Sequence, residues 1–312
     1  CGAEAMAVRP DGRANPNQLI INEANQAGLV ELRDLLLAAH REKYGTTDDL
    51  AMGFQLTHSG RFCRPNGKFT YEPRIAYRHP ILDDKFKVQS DAAMWTDAEV
   101  EELIADYVRA ARIAREVGAD FVDLKHCHGY LLHEFLGAHT REGKFGGSFA
   151  NRTRILREIV AGIRAEGNQI DLAVRLSTFD MVPHRPDPEL STPGKLGPGI
   201  PEEHTTPYPY QFGVNPDDPT QIDLRETVAF VNLCGELGIK LLNTTAGSPY
   251  YTPHLQRPAA YPPSDGYQPA YDPLIDLARQ IEVVRHLKAG LPEGMAIIAS
   301  GLSYLQEYLP HV

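Results

Sequence analysis

Residues 121–135 read Phe-Val-Asp-Leu-Lys-His-Cys-His-Gly-Tyr-Leu-Leu-His-Glu-Phe, and this stretch decides the fold. The apolar residues Phe121, Val122 and Leu124 predict a buried strand over 120–124. It runs into Lys125, His126, Cys127, His128 and Tyr130, gathered around Gly129. In α/β proteins the carboxyl end of a buried strand is where ligands bind. The strand is locked in the core while loops and helix N-termini converge on its end. The plainer reading is that these histidines cap the strand or satisfy one another, but capping needs fewer donors and acceptors than this cluster carries.

The same arrangement recurs along the chain. A strand over 50–56 ends in Gln55-Leu56-Thr57-His58-Ser59-Gly60-Arg61. Another over 172–176 ends on Arg175, followed by Ser177 and Asp180. A strand over 240–245 ends in Asn243-Thr244-Thr245 and is followed by Tyr250 and Tyr251. A last strand over 295–299 leads to Ser300-Gly301, and a first one spans 3–8. Repeated polar strand ends imply one shared ligand more strongly than any single cluster.

Helices fill the intervals. Asn22 caps a helix to about Tyr44 with Leu29, Leu32, Leu35, Leu36 and Ala39 at helical spacing. Thr96 and Glu99 form a capping-box pattern for a helix over 97–117 that Gly118 ends. Further helices are predicted over 151–166, 224–237 and 273–289, the last with Pro273 in its first turn. Residues 62–92 and 178–222 show little periodicity and read as long loops, a lid or covering segments. Alternating strands and helices mean parallel strands joined by right-handed crossovers. With no linker or repeat, residues 1–312 form a single domain of the α/β class. The open doubly wound sheet is the competing architecture, but its first-turn motif G-x-G-x-x-G is absent.

Composition narrows the function. A formal charge of −10 argues against nucleic-acid binding, and a 23% charged, 42% hydrophobic chain is ordinary for a globular protein. Cys1, Cys63, Cys127 and Cys234 are scattered without a zinc or cluster spacing, which fits a reducing, cytoplasmic setting. No apolar run approaches the ~20 residues of a membrane span, so no membrane partner is expected. The chain begins within a strand and ends in Ser303-Tyr304-Leu305-Gln306-Glu307-Tyr308-Leu309-Pro310-His311-Val312, within a helix, which predicts a fragment of something longer.

Four motifs in order, QLTHSGR at 55–61, HGYLLHEFL at 128–136, FGGSFANR at 145–152 and VRLS at 174–177, resemble the old yellow enzyme family of FMN-dependent NAD(P)H:flavin oxidoreductases. The resemblance implies a (β/α)8 TIM barrel, here incomplete, with strands two to seven of eight present and the first and eighth missing. Two strand edges would then be unpaired and part of the core exposed. It further implies FMN at the carboxyl ends of the strands, NADH or NADPH as reductant, and a small-molecule substrate with an electron-poor alkene. Self-association into a homo-oligomer stays open.

By position, Gln55 resembles the residue that hydrogen-bonds the flavin pyrimidine, Arg175 the cation near flavin N1 and O2, and Gly301 half of the phosphate site. A guanidinium suits Arg175's place because reduced flavin is anionic around N1. His128 resembles one of a pair that polarises a substrate carbonyl oxygen, and Tyr130 the proton donor to the α-carbon. The first member of that pair, a histidine in much of the family, is Lys125 here. A compact ammonium alters the geometry and anion preference, and makes a carboxylate or thioester substrate as plausible as a simple enone. Gly146, Gly147 and Ser148 are expected to shape a turn, His58 to order its loop, and Cys127 to be a small buried residue.

Other readings remain open on the residues alone. Arg175 can instead pair with Asp123 in a buried salt bridge, and Tyr130 can be a packing aromatic. His133 and Glu134 belong either to the site or to a helix surface. A metal-dependent barrel hydrolase or lyase would use His126, His128, Asp123 and His58 as ligands. A non-catalytic barrel fragment would hold no flavin.

Overall fold

A computed structural model describes residues 5–260 and 266–311. Cys1 and the start of the first predicted strand lie outside the described residues. In chain order the elements are β1 (Met6–Ala7), α1 (Gln26–Tyr44), β2 (Gly53–Thr57), α2 (Pro80–Lys85), α3 (Asp97–Val117), β3 (Phe121–His126), α4 (Leu131–Leu136), α5 (Phe149–Arg152), α6 (Arg154–Ala165), β4 (Asp171–Ser177), β5 (His184–Pro186), β6 (Gly199–Pro201), β7 (Val214–Asn215), β8 (Asp218–Ile222), α7 (Arg225–Glu236), β9 (Leu241–Thr245), α8 (Pro253–Gln256), α9 (Pro273–Ala289) and β10 (Ala296–Ala299). Six strands pair in parallel in the order β1-β2-β3-β4-β9-β10, with β1 and β10 at the edges. Two antiparallel hairpins, β5/β6 and β7/β8, stand apart from this sheet.

Register divides the sheet into two chemically distinct faces. Phe54 pairs with Val122, Leu56 with Leu124, Leu124 with Val174, and Val174 with Leu242. That face is apolar and buried, because it packs in one core with Val100, Leu103, Tyr107 and Ala111 of α3 and Ile155, Leu156, Ile159 and Ile163 of α6. On the opposite face Gln55 pairs with Asp123, Lys125 with Arg175, and Arg175 with Asn243. Alternation along a strand puts these polar residues together, since side chains two apart share a face. The helix-covered face supplies the stability; the opposite face gathers Gln55, Asp123, Lys125, Arg175 and Asn243.

The helix predicted over 97–117 carries both capping-box hydrogen bonds, and Gly118 closes it in the left-handed conformation at φ +91°. Other boundaries shift. β3 continues through His126, two residues past the predicted end, because Lys125 and His126 keep pairing with Arg175 and Leu176. The predicted helix over 151–166 is two helices: α5 starts at Phe149, capped by Ser148, and α6 resumes after Thr153.

Residues 62–92 are no surface lid. Phe62, Cys63, Ile75, Ala76, Leu82 and Phe86 are all buried there. The segment 178–222 contains both hairpins, too short and too rich in proline to show a period of two.

The leucine stripe of α1 fails as a core prediction: Leu29 is buried, but Leu32, Leu35 and Leu36 are exposed. Helical spacing identifies a face without showing that a partner covers it. At the opposite edge Ile298 of β10 is 36% exposed, so apolar surface is open at both sides of the sheet.

Candidate active site

The site is built at the end of β3. Strand alternation sends Lys125 to the polar face and His126 to the helix-covered face. There His126 Nδ1 lies 3.1 Å from the Leu124 carbonyl oxygen, with its ring 5.4 Å from that of Phe230. Burial lowers its pKa to about 4, so it is a neutral core residue. Cys127 follows, fully buried, its thiol pushed up to about 11 by burial. It is the small buried residue the sequence suggested, not a ready nucleophile.

The chain then turns through two left-handed residues, His128 at φ +66° and Gly129 at φ +74°. His128 tolerates this conformation at some cost because its backbone is pinned on both sides. Its N–H donates to Ser177 Oγ at 3.0 Å, and its carbonyl accepts from Ser248 Oγ at 2.8 Å. Gly129 is required twice over, since a Cβ there would also sit 2.7 Å from the Tyr251 hydroxyl. The Gly129 N–H donates to His133 Nδ1 at 2.9 Å. These bonds set the direction of α4 and place Tyr130 at its N-cap position.

On the polar face, Gln55 Nε2 donates to Asp123 Oδ2 at 2.7 Å. Burial raises the Asp123 pKa, while Gln55, Arg175 and Lys125 pull the other way. Arg175 Nη2 lies 3.4 Å from Ser300 Oγ, at the end of β10. Asp123 Oδ1, Arg175 Nε, Asn243 Oδ1 and His128 Nε2 are buried without a hydrogen-bond partner. Orphaned polar atoms are costly in a protein interior, so four of them at neighbouring strand ends describe a place for a polar ligand. His128 is kept neutral first by burial, and next by the positive charges of Lys125 and Arg175.

An aromatic group covers Tyr130. Its hydroxyl lies 3.0 Å from that of Tyr250, and Tyr250 stacks on Phe62 with ring centroids 4.0 Å apart. Lys125 Nζ is 3.8 Å from the Tyr130 ring centroid. The Tyr130–Tyr250 contact spans 120 residues and left no local trace in the sequence.

Several residues settle into supporting roles. His58 is fully buried, accepts the Gly60 N–H at Nδ1 over 3.1 Å, and meets Trp95 edge-on at 5.1 Å. Its pKa falls to about 3 through burial, which fits a neutral residue ordering its loop. Glu134 is buried in an ionic cluster: Arg61 donates to it at 2.6 Å and also pairs with Asp83, while the Ala76 N–H reaches its other oxygen at 3.1 Å. His133 and Glu134 are thus interior residues of α4 rather than helix surface.

Gly301 lies just beyond β10 at φ +86°, where a Cβ would come within 2.7 Å of Gln280 Oε1, itself buried without a partner. The suggested metal ligands do not converge, since His126 faces Phe230 and His58 faces Trp95. Among the described residues no group of three or more His, Cys, Asp or Glu side chains could hold a metal ion. No helix among them is long and apolar enough to cross a membrane.

A parallel sheet with crossover helices on one face and a cationic, hydrogen-bonding face at its strand ends defines an α/β protein of the barrel type. Residues 2–188 match the NADH:flavin oxidoreductase / NADH oxidase family, and the chain belongs to it. It is 32% identical over 183 residues to an NADPH dehydrogenase of Geobacillus sp. (strain WCH70), covering 58% of this chain and 48% of the relative. It is likewise 32% identical over 181 residues to an NADPH dehydrogenase of Bacillus subtilis (strain 168), covering 57% and 48%. The chain spans about half the length of these curated relatives.

Among solved structures, the old yellow enzyme homologue from Zymomonas mobilis superposes with a TM-score of 0.55 at 16% identity, covering 98% of this chain and 71% of that one. A 2-naphthoyl-CoA reductase in complex with 2-naphthoyl-CoA gives 0.59 at 21% identity, covering 98% and 40%. These likenesses establish the fold, which is an incomplete (β/α)8 barrel.

Proposed function

We propose that this chain carries the flavin and substrate site of an FMN-dependent NAD(P)H oxidoreductase that reduces electron-poor alkenes conjugated to a carbonyl or thioester. The observation that carries this reading is the register pairing of Lys125 with Arg175 on the polar face. Like charges opposite one another are unfavourable in a sheet, and Asp123 beside them supplies one carboxyl for two cations. A reduced flavin, and the enolate formed from an α,β-unsaturated carbonyl, are both anionic.

The donor set fits FMN. Gln55 and Asn243 offer amides to a ring edge that both donates and accepts, Arg175 offers a guanidinium, and Asp123 Oδ1 an acceptor. Gly301 supplies a backbone without a side chain on the phosphate side. When bound, FMN accepts hydride from NADH or NADPH and passes it to the substrate.

The chain's own residues do the rest. The neutral His128 imidazole, with its proton on Nε2, donates to the substrate oxygen, and Lys125 adds positive charge on the same side. Tyr130, a phenol that is neutral at pH 7, gives its proton to the substrate α-carbon.

The test is the visible spectrum of the purified chain before and after anaerobic addition of NADH or NADPH. A bound flavin that bleaches on addition supports the reading. A protein that stays colourless with added FMN, and stays so when extended to the length of its relatives, overturns it.

A further inference from the structure

The proposed function leaves open what makes Tyr130 able to part with a proton. A phenol beneath Phe62 and Tyr250 has few water molecules to stabilise its anion. A positive charge close to the ring can do that work. Lys125 Nζ lies 3.8 Å from the Tyr130 ring centroid, and Lys125 itself is buried. An ammonium over a neutral ring is attracted to the ring's electron-rich face, and the attraction grows when the ring carries phenolate charge. The interaction is therefore stronger as the proton leaves than before it leaves, which is the condition for speeding the step.

We infer that Lys125 is a positioning residue for Tyr130: its ammonium stabilises the Tyr130 phenolate, and Tyr250 returns the proton to that phenolate. This rests on the proposed role of Tyr130 as proton donor. The Tyr130 O–H bond breaks as a C–H bond forms at the substrate α-carbon, and the O–H electron pair stays on the phenolate oxygen. The adjacent carbon takes hydride that originates in NADH or NADPH. Tyr250 passes its hydroxyl proton across the 3.0 Å contact and takes one from water. Charge and protons balance, with NAD(P)H as the sole reductant.

The experiment is a phenolate titration followed by ultraviolet absorbance. It needs neither flavin nor substrate. The difference between the unaltered chain and Tyr130→Phe isolates the titration of Tyr130. The same difference is then taken in Lys125→Met, Lys125→Gln and Lys125→Arg backgrounds, each checked by circular dichroism. Loss of the charge is expected to raise the midpoint by about one pH unit, about tenfold less phenolate at a given pH. Lys125→Arg is expected to stay near the original value.

An unchanged or lower midpoint in whichever neutral variant folds overturns the inference. If the chain proves to bind no flavin, the proposed function fails while this titration still decides the effect of Lys125 on Tyr130. Where flavin does bind, the alkaline limb of the alkene half-reaction should move with the same midpoint.

Discussion

Gln55 Nε2 donates to Asp123 Oδ2 at 2.7 Å, across the register that pairs these two residues between β2 and β3. Among the described residues no Asp123–Arg175 ion pair within 4 Å accompanies it, and Arg175 Nε is left without a partner. The carboxylate is thus engaged by an amide, while the guanidinium reaches Ser300 Oγ through Nη2 and keeps Nε without a partner. Arg175→Ala is expected to weaken FMN binding about 10- to 100-fold, the scale of a charged hydrogen bond. Flavin fluorescence quenching measures it. An unchanged affinity together with lowered stability would return Arg175 to the salt-bridge reading.

Tyr130→Phe keeps the ring under Lys125 and removes only the hydroxyl. Alkene reduction is expected to slow about 100-fold or more, the scale of general acid catalysis, with flavin reduction by NAD(P)H nearly unchanged. Stopped-flow measurement of the two half-reactions separates the effects. Equal loss in both would mean that the hydroxyl supports binding and not proton transfer.

Gly129→Ala tests the turn that aims Tyr130. The substitution puts a side chain at φ +74° and a Cβ 2.7 Å from the Tyr251 hydroxyl. Left-handed strain and overpacking together should cost about 2–4 kcal/mol, read as a lower denaturant midpoint. Gly167→Ala has a similar φ of +68° but nothing within 4 Å, so its smaller loss isolates the strain alone.

Acid should destabilise the fold already between about pH 7.5 and 5.5, before carboxylates at their ordinary pKa titrate. His58, His126, His133 and His254 are held neutral by burial, with pKa values of about 3, 4, 3 and 3 against an ordinary 6.5. A depressed histidine pKa means that the unfolded chain binds more protons between the two values. Stability therefore falls as pH drops through 6.5. Each histidine should contribute a loss of about 1 kcal/mol between pH 7.5 and 5.5.

Asp180 acts in the opposite direction, since burial lifts its pKa to about 7 and it takes up a proton in the folded state first. It offsets only part of the loss. Urea unfolding at the two pH values should show lower stability at the acidic one, and a higher stability there would contradict the burial of these rings.

The alternation of apolar strand runs with capped helical stretches by itself determined a parallel α/β chain and located its polar strand ends, because an apolar run that stops in a polar cluster and a cap at a helix are local signals. Thr96 with Glu99 placed a helix start, and the motifs at Gln55, His128, Tyr130 and Arg175 marked the strand ends that share one face. What it could not determine were relations across long chain separations.

Nothing near Lys125 says that strand pairing continues to residue 126 and sends Lys125 and His126 to opposite faces. That depends on hydrogen bonds to β4. Nothing near Tyr130 points to Tyr250, 120 residues away. The leucines of α1 had the right spacing, yet only Leu29 is covered, because burial is decided by what another element brings to the face. Tertiary structure alone decided these points, since packing and register are properties of pairs of segments and not of either segment alone.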